Sequence, residues 1–133
     1  MSDGDAVAIV RRAREALARD GVEGLVPFIH PEFESTIPPE LSLEPATYRG
    51  VEGVRRYFES FYEAVDEVRF EPEDYIPAGG RVVVPSRVAV RGRGSGAEAS
   101  QQLVLVWAVR DHRVVSITPF ATLDEALAAA RGS

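Results

Sequence analysis

The stretch from Tyr48-Arg49-Gly50 through Val65 most constrains what this chain can fold into. Its apolar residues at 51, 54, 58, 61, 62 and 65 fall on one face of a helix, and three of them are rings (Phe58, Phe61, Tyr62). Helices come first in the chain, and strands follow this segment until a last short helix. A ring-laden helix face with strands after it needs a sheet to lie on. That order is the layout of an α+β cup with a cavity between the layers.

The elements can be placed more closely. A first helix is predicted from Asp3 to about Ala18, with Ser2 as cap, a buried stripe of Ala6, Ile9 or Val10, Ala13 and Leu17, and Gly21 as its stop. A short second helix, Val22 to Phe28, is disturbed by Pro27 and closed by His30-Pro31. A strand from Phe33 to Ile37 and a proline-rich loop lead through Tyr48 into the third helix, which is predicted to end near Val65. Strands follow over Val68–Ile76 (broken by Pro72), Arg81–Arg91, Ala97–Val109 and Val114–Ala121, and a final helix carries Leu123, Ala126, Leu127 and Ala130. Pro85 inside the second of these strands predicts a bulge or an edge position. With 133 residues, no repeat and no linker, one domain over 1–133 is expected.

Composition removes several chemistries. The chain has no Cys, no Lys and no Asn, and all 15 basic residues are Arg. Thiol nucleophiles, disulfides, thiolate metal sites and lysine Schiff bases are therefore excluded. The net charge of −6 comes without a basic stripe, which argues against nucleic acid as a partner. No apolar run is long enough for a membrane span and the N-terminus does not read as a signal peptide, so a soluble cytoplasmic protein is expected. His30 before a proline and His112 in a tight turn do not make a metal site, and no metal or cofactor is expected.

From Leu103 to Val109 both faces of the strand are apolar: Leu103, Leu105, Trp107 and Val109 on one, Val104, Val106 and Ala108 on the other. A sheet covered by helices on one side only should alternate apolar with polar residues. The pattern predicts a second cover, and a partner subunit, hence a homodimer through the sheet, is the expected one.

Several segments in order carry a family resemblance: His-Pro-Glu at 30–32, Tyr-Arg-Gly-Val-Glu-Gly at 48–53, Gly-Arg-Gly-Ser-Gly at 92–96, Val-Trp-Ala-Val-Arg-Asp-His-Arg-Val at 106–114 and Asp-Glu-Ala-Leu at 124–127. The chain resembles the SnoaL-like (polyketide-cyclase-like) branch of the nuclear transport factor 2-like, or ketosteroid-isomerase-like, superfamily. The resemblance implies a cone-shaped curved antiparallel sheet wrapped around three N-terminal helices, with a short C-terminal helix. It also implies an opening for a small apolar molecule and pairing through the sheet. Its known active sites do not carry over. The isomerase acids would fall near Ile37 and Gln102, the epoxide-hydrolase set needs an Asn, and the late strands hold no carboxylate or His for a cyclase.

The candidates that remain are ligand-binding ones. Phe58, Tyr62, Trp107 and Phe120 are rings on predicted core faces, and Tyr48 and Tyr62 are hydroxyl tips for an apolar cavity. Arg87, mid-strand among valines, reads either as an anion or carbonyl clamp inside the cone or as an outer-face charge paired with a surface acid. Gln101 and Gln102 point to opposite faces, so one of them looks inward, and strand parity sets Gln102 against Trp107. Glu32, Glu34 and Asp74 are the carboxylates that would matter if they pointed inward. The expected function is a binding cup for an apolar or aromatic molecule. The alternatives are an isomerase, cyclase or hydratase with a non-standard site, and a dimeric accessory domain without a ligand.

Overall fold

The computed structural model describes residues 3–36, 47–62, 65–92 and 98–131, and side chains within 4–36, 47–59, 69–92 and 98–131. Helix α1 (Asp3–Asp20) buries Ala6, Val10, Ala13 and Leu17, with Val10 rather than Ile9 at the centre of the stripe. Gly21 follows at φ 75°, and its N–H donates to Leu17 O at 2.9 Å, a left-handed stop. The single turn α2 (Val22–Leu25) tightens into a 3-10 turn over Val26–Phe28, where Pro27 has no N–H to offer.

Strands β1 (Glu34–Thr36) and β2 (Thr47–Arg49) form a two-stranded antiparallel ribbon with Ser35 opposite Tyr48. The segment 37–46, which holds Ile37 and the predicted proline-rich loop, lies outside the described residues. Helix α3 (Gly50–Tyr62) stops short of the predicted Val65, because Val65 opens the next strand. The main sheet comprises β3 (Val65–Pro72), β4 (Ile76–Ala78), β5 (Arg81–Gly92), β6 (Glu98–Arg110) and β7 (Arg113–Phe120). Its order is β3-β5-β6-β7, with β4 also pairing to β5; all pairs are antiparallel, and the curved sheet does not close into a barrel. The predicted strand Val68–Ile76 is thus two strands, divided after Pro72.

That division explains Pro85. It sits mid-strand in β5 with an unbroken register to β6, neither at a bulge nor at an edge. On its other side β3 ends opposite Ser86 and β4 begins opposite Val83, so the missing N–H falls where the neighbouring strand is interrupted. The Pro85 carbonyl still accepts from Glu73 N at 2.8 Å. The β6–β7 hairpin turns at Asp111 (φ 53°) and His112 (φ 64°), the left-handed pair of a two-residue turn, at the tight turn predicted around His112.

The N-terminal helices pack on one face of the sheet. Val82, Val84, Leu103, Leu105, Trp107 and Ile117 share a core with α1 and α3. Helix α4 (Leu123–Arg131) packs on the other face, where Ala126 and Ala130 cover Val83, Val104 and Val106. The two-sided apolar character of β6 therefore has an intramolecular explanation. The cover that the sequence assigned to a partner subunit is, at Val104 and Val106, the chain's own last helix. Among the described residues no helix is long and apolar enough to cross a membrane.

Candidate functional site

Antiparallel register fixes which side chains share a face, since directly opposed residues point the same way. On the face toward α1 and α3, β5 contributes Val82, Val84, Ser86, Val88 and Val90; β6 contributes Trp107, Leu105, Leu103, Gln101 and Ala99 opposite them. Phe70 of β3 joins this face across from Val88. Burial changes along it. Trp107 is 0% exposed and Val82 and Val84 equally sealed, Val88 and Leu103 open slightly (5% and 6%), Phe70 and Val90 are half-buried, and Gln101 is exposed. Burial along this face is complete at Trp107 and least at Gln101.

The helical wall is aromatic. Tyr48 meets Tyr57 edge-on with centroids 5.6 Å apart, and Tyr57 meets Phe58 in the same manner at 5.1 Å. Gly53 makes this approach possible, because a Cβ there would lie 2.7 Å from the Tyr48 carbonyl carbon. Burial first, and the neighbouring Tyr48 second, raise the pKa of Tyr57 well above the ordinary tyrosine value, so its hydroxyl stays protonated. Trp107 Nε1 is also buried, with no hydrogen-bond partner among the described residues. The ribbon that carries Tyr48 is tied to the sheet by Ser35, whose buried Oγ accepts from Ile117 N at 2.6 Å. Ser86, likewise buried, donates from Oγ to Val84 O at 3.3 Å.

The predicted site residues separate into two groups. Tyr48, Phe58 and Trp107 come together inside, with Tyr57 added. Arg87 and Gln102 are partners across β5 and β6 on the opposite face, and both are exposed. Arg87 there donates to Ser100 Oγ at 3.4 Å and borders an open groove of about 300 Å³ with Arg69, Glu71, Arg91 and Glu98. Phe120 is also on that face, packed with α4. Tyr62 closes α3, and its side chain lies outside the described residues. The inward glutamine is Gln101, opposite Val88. A Tyr48–Arg87 pair cannot form, since the two sit on opposite sides of the sheet.

The three candidate carboxylates lie at the surface. Glu32 is paired with Arg110, Glu34 with Arg49 at 3.3 Å, and Asp74 accepts from Tyr75 N in its own turn. His30 is held at the base of the fold, accepting from Glu32 N through Nδ1 and facing Asp111 with Nε2 at 3.5 Å. Among the described residues the buried polar side chains are Ser35 and Ser86, and no group of three His or carboxylates is placed to hold a metal ion. Tyr57 is the residue that sequence reasoning missed. Its spacing of three from Val54 is the signal the sequence carries for it.

A curved antiparallel sheet of this topology, with helices packed on its apolar inner face, defines an α+β fold of the SnoaL-like class. The model of the SnoaL-like domain family matches residues 10–117, and the chain belongs to that family. A nuclear transport factor 2-like protein of unknown function from Burkholderia pseudomallei K96243 is similar over 100% of both chains, with 24% identity and a TM-score of 0.77. Another such protein, from Burkholderia xenovorans LB400, is 27% identical over 98% of both chains at a TM-score of 0.74. TerC, co-crystallised with polyporic acid, is 20% identical over 91% of this chain and 94% of its own, at a TM-score of 0.75. Comparison with curated proteins gives no match.

Proposed function

We propose that the protein holds a small apolar or aromatic molecule in the open half of its cup, between α3 and the inner face of β5 and β6. The observation that carries this reading is the burial gradient along that face, from sealed Trp107 to half-buried Val90 and exposed Gln101. Apolar side chains at the end of a concave layer, with a few polar groups beside them, are the usual composition of a small-molecule site. Holding is favoured over proton transfer. The buried polar groups near the cup are hydroxyls and an indole, Tyr57 is a neutral donor, and the candidate carboxylates Glu32, Glu34 and Asp74 are engaged at the surface. The small molecule in the TerC structure agrees with a binding role for this fold. Trp107 and Phe58 are then floor and wall of the cup, and Arg87, Gln102 and Phe120 stand outside it.

Nile red, a neutral probe whose emission reports an apolar environment, tests the site. Val90→Trp fills the mouth from a half-buried position and is expected to weaken Nile red binding at least tenfold with little change in melting temperature. Unchanged binding in that variant would remove the mouth as the site. Native mass spectrometry of the purified protein, before and after denaturation, identifies any retained compound and gives the oligomeric state at the same time.

A further inference from the structure

The register of the sheet segregates charge. Arg69, Glu71, Arg81, Arg87, Arg91 and Glu98 all occupy the face turned away from α1 and α3. Among the described side chains, which on β3 begin at Arg69, the opposite face of these strands carries no ionisable group; its less buried end is Phe70, Val88, Val90, Ala99, Leu103 and Gln101. From the helices, Arg14 reaches the edge of β3, but its guanidinium is already engaged, donating to Tyr75 Oη at 3.0 Å and to Phe70 O at 2.7 Å. Arg56 lies over the Tyr48 ring at 5.8 Å from an exposed position on α3. An ion entering the mouth would therefore lose water and find no countercharge among the described side chains of the inner face, which is costly in an apolar setting. Ser86, opposite Leu103 on the same face, is buried and already donates to Val84 O, whereas Gln101 is exposed, and its amide both donates and accepts.

We infer that the cup selects an uncharged ligand, apolar over most of its surface and bearing one carbonyl or hydroxyl that hydrogen-bonds the Gln101 amide. This rests on the reading of the cup as a small-molecule site. Gln101 is then the specificity-determining residue, and the rings around Tyr57 serve the apolar remainder. Because Gln101 is exposed and buries nothing in the empty protein, replacing it leaves the fold intact.

Three probes of one shape separate the possibilities: methyl naphthyl ketone, ethylnaphthalene and naphthoate. Binding is read by calorimetry and by the methyl resonances of Val88, Val90 and Leu103 in the full chain. The ketone is expected to bind roughly three- to tenfold more tightly than the hydrocarbon, the gain of one net hydrogen bond, and naphthoate most weakly. In Gln101→Leu the ketone's advantage disappears while ethylnaphthalene binds as before. If the ketone keeps its advantage in Gln101→Leu, or naphthoate binds best, with the methyl resonances still responding, the selection inference is overturned and the cup stands. If none of the three moves those methyl resonances, the cup reading itself fails and takes the inference with it.

Discussion

Replacing Ser35 by alanine removes a single oxygen and strands the amide of Ile117. That amide belongs to β7, at the end of the sheet order, and Ser35 Oγ accepts from it at 2.6 Å. Ser35 is 2% exposed and the Ile117 side chain is fully buried, so water cannot take the place of the hydroxyl. A buried N–H left without an acceptor costs about 1–3 kcal/mol, and the seclusion of this one puts the expected loss near 2 kcal/mol. For a chain of this length that corresponds to a fall of roughly 6–10 °C in melting temperature. In urea the midpoint should drop by about 1 M with an unchanged slope. Amide exchange at Ile117 should accelerate in the same variant. Ser35→Thr keeps the acceptor and should retain most of the stability. A loss below about 0.5 kcal/mol in Ser35→Ala, or an equal loss in Ser35→Thr, would refute the argument, the first by showing that the bond carries little and the second by assigning the effect to packing.

Gly53→Ala should destabilise the protein by at least about 1 kcal/mol, although alanine is the better helix former by a similar amount, because its Cβ meets the Tyr48 backbone at 2.7 Å and 3.2 Å. Thermal melts and near-ultraviolet dichroism of the tyrosines would register it, and a stabilised variant would contradict the close approach. Glu23 is held below its ordinary pKa by hydrogen bonds from Arg55, at 2.8 and 2.9 Å, which link α2 to α3. A lowered carboxylate pKa gives stability that is present above the unfolded value and lost as pH falls through the folded one. The melting-temperature gap between wild type and Glu23→Gln should therefore close on acidification, and a gap that widened would reverse the assigned sign.

Most of the scaffold was legible because periodicity encodes burial. The α1 stripe, the tight turn at His112 and the order of helices and strands along the chain all follow from local spacing and turn chemistry. Facing was harder. In β5 and β6 apolar residues occupy both sides of the strand, so alternation cannot say which of Arg87 or Val88, or of Gln101 or Gln102, looks inward. That is decided by where α1, α3 and α4 dock, a long-range matter. For the same reason alternation shows that Val104 and Val106 need a cover but not that α4, some twenty positions further along, supplies one. Pro85 misled in a related way, since its acceptable mid-strand place depends on a break in another strand.

During synthesis, Val83, Val104 and Val106 leave the ribosome before the α4 residues that will cover them. The inner face finds α1 and α3 already made, so that layer can begin to close as each strand appears. The outer face has no such cover in waiting. Until Ala126 and Ala130 are available, the nascent chain presents a bare valine patch on a partly built sheet, a surface that encourages association with other chains. Assembly of this fold is thus begun from its N-terminal helices and sealed by α4, and a chain cut off just before α4 would keep that patch bare after release.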